Sequence, residues 1–241
     1  MALITRLEDL SNEIFLEICE YLYADEIFLA FTSLNSRFSL LINLIPLHVN
    51  ISSTYSHDEL DFLSNHLKIY SSQVISLEIH DKICDQTDVI GYIFDQHNFR
   101  NLRSCIFHSI KSSSKLRIIV EKLSKLQNIV VFHINQSCNV KEDKLNRCDA
   151  SKFSQLILLD TPKTLRSTCL YFHYNHPEII TTSIISTTLT NLQIIFYGTF
   201  NDITIYSLIP LLRIHCALRT LGVTIKSAES AGDDRRKQVY L

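Results

Sequence analysis

Apolar residues recur at helical spacing near the start of the chain. Ile14, Ile18 and Leu22 follow one another at four-residue steps, so a helix through them presents all three on one face. Asp9 or Ser11 is placed to cap this helix, because its side-chain oxygen can accept a hydrogen bond from a free backbone N–H. The pattern predicts an amphipathic helix in this first segment.

Two further segments repeat this design. Asp25 is a suitable N-cap for a second helix, and Asn35 or Ser36 is suitable for a third. Pro46 then discourages continuation of the third helix. The apolar stripes of these two helices are Ile27, Phe28, Phe31, Phe38, Leu41, Ile42 and Ile45. The pattern therefore predicts three short helices in succession.

Three helices of this size carry more apolar side chains than they can bury against one another. The residues expected to be left in water are Leu16, Tyr21, Leu29 and Leu34. An apolar excess of this kind indicates either a surface for a partner protein or a surface that the rest of the chain covers. Periodicity favours neither.

A short phrase of the form L-x-[small polar]-h-x-h recurs along the remaining chain, where h is hydrophobic. Its copies begin at Val74, Leu102, Leu126, Leu165, Leu189 and Leu218, at intervals of 28, 24, 39, 24 and 29 residues. Helical stripes lie before and between the first copies, at Leu60, Leu63 and Leu67, at Val89, Tyr92 and Ile93, and at Leu116, Ile119, Val120, Leu123 and Leu126. Strands and helices alternating at this period predict a curved α/β solenoid with parallel strands.

Composition narrows the class of protein. Four glycines and four prolines are too few for a turn-rich sandwich or barrel, and a net charge of -2 gives no basic surplus for nucleic acid. Seven scattered cysteines without close pairs indicate reduced, buried thiols. No apolar run reaches the length of a membrane span, so we expect a cytoplasmic or nuclear protein that binds neither nucleic acid nor membrane.

Candidate chemistry is sparse. The best metal-ligand spacing is His173 and His176 with Cys169, but no second ligand pair accompanies them, and zinc sites need close ligand pairs. No nucleophile elbow, zinc-protease motif or phosphate-binding loop occurs. We therefore predict no catalytic residue, no metal and no cofactor, and we do not expect the chain itself to be an enzyme.

The first segments resemble an F-box. Residues 10–22 read LSNEIFLEICEYL, similar to the opening Leu-Pro-x-Glu-hydrophobic, Ile and Tyr-Leu of that family. Residues 24–28 read ADEIF, similar to the start of its second helix, and residues 33–38 read SLNSRF, similar to its closing Leu-Asn-x-Arg-Phe. Ser11 stands where the family has proline.

The resemblance implies a Skp-type adaptor as partner and, through it, a cullin. The matching positions that it implies for adaptor binding are Leu10, Ser11, Ile14, Ile18, Leu22, Ile27, Leu34 and Phe38. Some of these must serve the internal core of the helices instead, and the sequence does not apportion them.

The repeated phrases resemble degenerate leucine-rich repeats, as many F-box proteins carry. Domains are then expected at residues 4–48 (F-box), 55–226 (repeat solenoid) and 227–241 (polar tail). The outward side chains of successive strands, expected to bind a protein target, are Glu78, His80, Ile106, His108, Val130, Phe132, Cys169, Tyr171, Gln193 and Ile195. A slip of one residue in a strand would turn such positions into core.

These observations predict the substrate-recognition subunit of a Skp–cullin–F-box ubiquitin ligase. The alternative is a non-enzymatic repeat scaffold whose F-box mediates assembly without ubiquitin transfer. A hydrolase or metal enzyme in the second domain is a third, more distant hypothesis.

Overall fold

The computed structural model describes residues 7–81, 88–108, 110, 113–135, 164–173, 188–197, 218–226 and 237–240. Within these ranges the helices are α1 (Asn12–Cys19), α2 (Ala24–Phe31), α3 (Ser36–Ile42), α4 (His57–Tyr70), α5 (Val89–Gln96) and α6 (Ser113–Ser124). Short 3-10 turns, Leu7–Asp9 and Ser71–Gln73, precede α1 and follow α4. The three predicted N-terminal helices are confirmed, as are the three predicted from the stripes that begin at Leu60, Val89 and Leu116.

Eight strands form one sheet in which every strand lies beside its neighbours in the sequence. They are β1 (Leu47–Ile51), β2 (Val74–His80), β3 (Ser104–His108), β4 (Val131–Asn135), β5 (Ser167–His173), β6 (Asn191–Tyr197), β7 (Thr220–Lys226) and β8 (Lys237–Tyr240). Strands β1 to β7 run parallel, and β8 pairs antiparallel with β7. The predicted α/β class with parallel strands is confirmed.

Local chemistry sets where the first helices begin. The Ser11 hydroxyl accepts a hydrogen bond from the backbone N–H of Ile14, and the Asn35 side chain does the same for Phe38. The second helix begins two residues earlier than predicted, because Tyr23 is its N-cap residue and the Glu26 carboxylate accepts from the Tyr23 backbone N–H. Asp25 therefore lies in the first turn, where its charge suits the helix dipole.

The third repeated phrase begins at a different residue from the one predicted. The N–H groups of Val130 and Val131 both donate to the Arg103 carbonyl oxygen, at 2.8 and 2.9 Å. In the same way, the N–H groups of Arg166 and Ser167 both donate to the Val130 carbonyl oxygen on the next repeat. Val130 is therefore equivalent to Arg103. It follows that the phrase beginning at Leu102 recurs at the buried Ile129, 27 residues later, rather than at Leu126.

Helices α4, α5 and α6 pack side by side on one face of the sheet. The rings of Phe94 on α5 and Phe107 on β3 meet with centroids 6.0 Å apart, so this face carries the inward residues of the strands. Among them, Leu77, Phe107 and Phe132 are fully or almost fully buried. Burial of this apolar face holds the strands to the helices.

The N-terminal module, defined here as residues 7–45, shares its hydrophobic core with the sheet. The Phe28 ring of α2 stacks on His66 and Tyr70 of α4, with centroids 4.8 and 5.2 Å apart. The Tyr55 hydroxyl donates a hydrogen bond to the Asp25 carboxylate, and burial followed by that carboxylate raises the pKa of Tyr55. The module is thus packed onto the first edge of the sheet.

The sheet extends beyond both ends of the residues expected to form the repeat domain. The sheet begins at Leu47, inside the segment assigned to the F-box, because Leu47, Val49 and Ile51 alternate inward as in any half-buried strand. The end of the predicted polar tail contains β8, whose backbone pairs with the free edge of β7. Across the described ranges, no helix has the length and apolar character required to cross a membrane.

Candidate functional site

The interior of the N-terminal module is filled by aromatic rings. Phe15, Phe31 and Phe38 are buried, and their ring centroids lie 4.7 to 6.0 Å apart in edge-on, tilted and stacked arrangements. Such contacts add to the free energy gained from burial alone. The three helices are therefore fully packed against one another before any partner is considered.

Large apolar side chains nevertheless remain on the outside of the module. Of the ten large hydrophobic residues that are exposed in the described part of the chain, seven lie here: Ile14, Tyr21, Tyr23, Leu29, Leu34, Leu40 and Leu44. Tyr21, Leu29 and Leu34 were predicted to be exposed, and this is confirmed; Leu16 is half-buried and packs against the core. The rest of the described chain therefore leaves these seven side chains exposed to solvent.

Arg37 brings the start of α1 next to the start of α3. Its guanidinium donates hydrogen bonds to Asn12 Oδ1 at 2.9 Å, to the Glu8 carbonyl oxygen at 2.7 Å and to the Leu10 carbonyl oxygen. Leu34 lies two residues before α3, so its backbone is at the end of the module where Arg37 contacts Leu10, and its side chain is exposed.

The structure divides the predicted adaptor residues into groups. Ile14 and Leu34 are exposed, with 47% and 41% of their surfaces accessible, and Leu10 and Ile18 are half-buried. Ile27 and Phe38 are fully buried core residues and are not available to a partner, because both face the inside of their helices. Ser11 caps α1, and Leu22 lines a cleft between the module and strands β1 and β2.

A second surface is the outward face of the sheet. Glu78 of β2 is in register with Ile106 of β3. The same row continues across the following strands through His133, Cys169 and Gln193. His80 lies beside His108 in the same way. Glu78, His80, Ile106, His108 and Gln193 therefore occupy the outward positions predicted for them.

The remaining predicted target residues need correction. Val130 precedes β4 and Phe132 is buried in the core, so the outward residues of that strand are Val131 and His133, one position further along. Cys169 and Ile195 stand at outward positions but are buried. Tyr171 is in register with Ile195 on the neighbouring strand.

A histidine and carboxylate group lies on the outward face of β2 and β3. His108 Nε2 lies 2.8 Å from Glu78 Oε1, and the rings of His80 and His108 stack in parallel with centroids 4.2 Å apart. Burial, and then the neighbouring His108, lower the pKa of His80; burial also lowers the pKa of His133, whose Nε2 lies 3.3 Å from Ser167 Oγ. The lowered pKa values favour the neutral forms of the His80 and His133 rings, which suits a weakly polar surface.

A cleft of about 340 Å³ joins the two surfaces. It is lined by Glu20, Tyr21, Leu22 and Tyr23 from the N-terminal module and by His48, Val49, Ser76 and Glu78 from β1 and β2. His48 and Ser76 are neighbours on the outward face. Sequence reasoning missed Glu20, Tyr23, His48, Val49 and Ser76. The alternation of polar residues in β1 was the signal that could have found His48.

Thiol and metal chemistry find little support here. Cys19 and Cys105 are buried free thiols, and Cys169 is buried as well. Burial raises the pKa of Cys19 to about 11 and also raises that of Cys105. Protonated thiols are poor nucleophiles and poor ligands. No group of three or more metal-ligating side chains is present within the ranges that the structure describes, and the motif ending at His176 extends outside them.

Comparison of the chain with protein-family models, with curated proteins and with solved structures found no significant match.

Proposed function

We propose that this chain is the substrate-recognition subunit of a Skp–cullin–F-box type ubiquitin ligase. In this proposal the N-terminal module is an F-box that binds a Skp-type adaptor, and the sheet belongs to a leucine-rich-repeat-like solenoid that binds a protein target. The observation that carries the proposal is the concentration of exposed apolar residues on a module whose interior is already full.

The energetic argument concerns the side chains that remain in water. Exposed apolar residues scattered singly need no explanation, but seven within residues 14–44 far exceed the three found in all other described ranges. Burying one leucine or isoleucine side chain in an interface contributes roughly 1.5–3 kcal/mol. A partner that covers several of them gains enough free energy for stable association.

The adaptor surface is best assigned to one end of the module. Leu10, Ile14 and Leu34 lie near the Arg37 contacts that join α1 to α3, and Ile18 continues the stripe of Ile14 along α1. The family resemblance implies adaptor contacts at these same four positions. This assignment leaves Ile27 and Phe38 as core residues that shape the surface without touching the partner.

The solenoid proposal is supported by the topology of the sheet. Seven parallel strands follow chain order, and equivalent residues such as Glu78, Ile106 and His133 stand side by side. Stacked repeats have this arrangement, because each unit buries its apolar face only with its neighbours. The outward face would then present target-binding side chains, with polar and apolar residues mixed as in protein interfaces.

A reconstitution experiment tests the proposal. The full chain co-expressed with a Skp-type adaptor and a cullin is expected to purify as a complex that contains both. The double variant Ile14→Asp, Leu34→Asp is expected to lose the adaptor, since it places two charges in the apolar interface. Ile69→Asp is the matched control, because Ile69 is 71% exposed on α4, outside the module.

Two outcomes decide between the candidate functions. Capture of adaptor without cullin would favour the scaffold that assembles without ubiquitin transfer. Equal adaptor capture by the double variant and by Ile69→Asp would remove the F-box assignment.

A further inference from the structure

The cleft between the N-terminal module and the outward face of the sheet has acidic and aromatic walls. Glu20 lies just after α1 and Glu78 lies on β2, so carboxylates reach the cleft from two different elements. Tyr21 and Tyr23 line it as well, and 82% and 45% of their surfaces are exposed. Among the residues that the structure describes, neither a lysine nor an arginine lines the cleft.

Glu78 is held in place by its neighbour on β3. Its Oε1 lies 2.8 Å from His108 Nε2, which fixes the carboxylate on the outward face of the sheet. The carboxylate is partly shielded from water, so its attraction to a cation is stronger than that of a fully solvated group. A positioned carboxylate loses little freedom when it binds a ligand.

The part of the chain that forms the cleft is rich in acidic residues. Residues 7–81 contain twelve aspartates and glutamates but only two lysines or arginines, although the whole chain is nearly neutral. Both cations are engaged elsewhere: Arg37 binds the start of α1, and Lys68 Nζ donates to Asn65 Oδ1 at 2.8 Å. The excess of carboxylates in this part of the chain favours a positively charged ligand.

We infer that this cleft binds a lysine or arginine side chain of a protein target. The cation would lie between the carboxylates of Glu20 and Glu78, with the faces of Tyr21 and Tyr23 available for cation–π contact. The aliphatic part of the same side chain would pack on Leu22. The inference names a target class for the proposed receptor and in that sense rests on the proposed function.

The simplest probes are single blocked amino acids titrated into the isotope-labelled full chain. Nα-acetyl-lysine amide and Nα-acetyl-arginine amide are expected to shift the backbone NMR signals of Leu22, Val49 and Ser76 saturably. Nα-acetyl-norleucine amide has a similar aliphatic chain without charge and is expected to cause no saturable shift. Equal shifts with norleucine amide, or none with the two cations, would overturn the inference.

Isosteric variants locate the interaction. Glu78→Gln keeps an oxygen that can accept from His108 and removes the charge, so we expect about tenfold weaker binding of lysine amide and no loss of fold. Glu20→Gln and Tyr21→Leu are expected to weaken it as well. Glu121→Gln, on the exposed surface of α6, is the matched control and is expected to bind as the wild type does. Unchanged affinity in both glutamate variants of the cleft would contradict the inference.

The titration requires no adaptor, so it separates two kinds of failure. A chain that binds lysine amide but no adaptor would refute the proposed ligase function and leave the cleft assignment standing. A chain that captures the adaptor but ignores both cationic probes would refute the cleft assignment alone.

Discussion

Arg37 Nε donates a hydrogen bond to Asn12 Oδ1 at 2.9 Å, and these two residues lie 25 positions apart in the chain. The same guanidinium reaches the carbonyl oxygens of Glu8 and Leu10, so one planar group joins the beginnings of α1 and α3. This contact fixes the end of the module at which the proposed adaptor surface lies.

Replacing Arg37 with lysine tests that relationship. Lysine keeps the positive charge but cannot form three hydrogen bonds in the fixed geometry of a guanidinium. We expect the free energy of unfolding to fall by about 1–3 kcal/mol, measured by urea denaturation. Arg117→Lys on the exposed surface of α6 serves as control and is expected to change stability by less than about 0.5 kcal/mol. An equal effect of both substitutions would show that the contact does not join the helices.

The aromatic interior of the module predicts a contrast between neighbouring residues. Phe38 is fully buried against Phe15, whereas Leu40 on the same helix is exposed. Phe38→Ala is expected to lower the free energy of unfolding by about 3–5 kcal/mol because it leaves a cavity. Leu40→Ala is expected to cost under about 0.5 kcal/mol. Similar losses for the two variants would contradict the assignment of core and surface.

The corrected register of β4 predicts a similar contrast one residue apart. Phe132→Ala is expected to destabilise the protein by about 3–5 kcal/mol, because its ring packs against Phe107. His133→Ala should cost about 1 kcal/mol, since His133 faces outward and makes a single long contact with Ser167. Thermal or urea unfolding measures both values. A larger loss at position 133 would restore the register first predicted from the sequence.

Buried histidines predict loss of stability in acid. His97 is 7% exposed, with Nε2 3.0 Å from Ser64 Oγ, and burial followed by the nearby Lys68 lowers its pKa. The folded chain therefore binds this proton less readily than the unfolded chain does. The stabilising effect is complete above the unfolded pKa of about 6.5 and is lost as the pH falls below it.

His80 and His133, whose pKa values are also lowered, add to this effect. We therefore expect the free energy of unfolding, followed from about pH 7.5 to pH 5, to decrease. His97→Gln is expected to make that decrease shallower. A stability that rises towards pH 5 in the wild-type chain would contradict the assignment.

Much of the fold follows from periodicity. Stripes such as Leu60, Leu63 and Leu67 allow one helical face to be buried, and the repeated phrase at Leu102 and Leu165 predicts successive parallel strands. The slip in β4 arose because Ile129, Val130, Val131 and Phe132 are all apolar, so neither of two registers exposes an obvious polar residue.

The sites were less accessible to sequence reasoning than the fold. The sequence shows that Ile14 and Leu34 are apolar, as Ile27 and Phe38 are. It could not show which of them are exposed, because burial depends on how the helices pack. The cleft could not be predicted, because Glu20 and Glu78 lie far apart in the chain. They line the same cleft only because the module packs on β1.

Amide hydrogen exchange of the full chain, alone and with a purified Skp-type adaptor, tests the central claim most directly. The account predicts a complex in which exchange slows in residues 10–19 and 34–42 of the module and is unchanged in β2 and β3. Absence of a complex, or slowed exchange confined to the sheet, would contradict the claim that the exposed apolar residues of the module bind the adaptor.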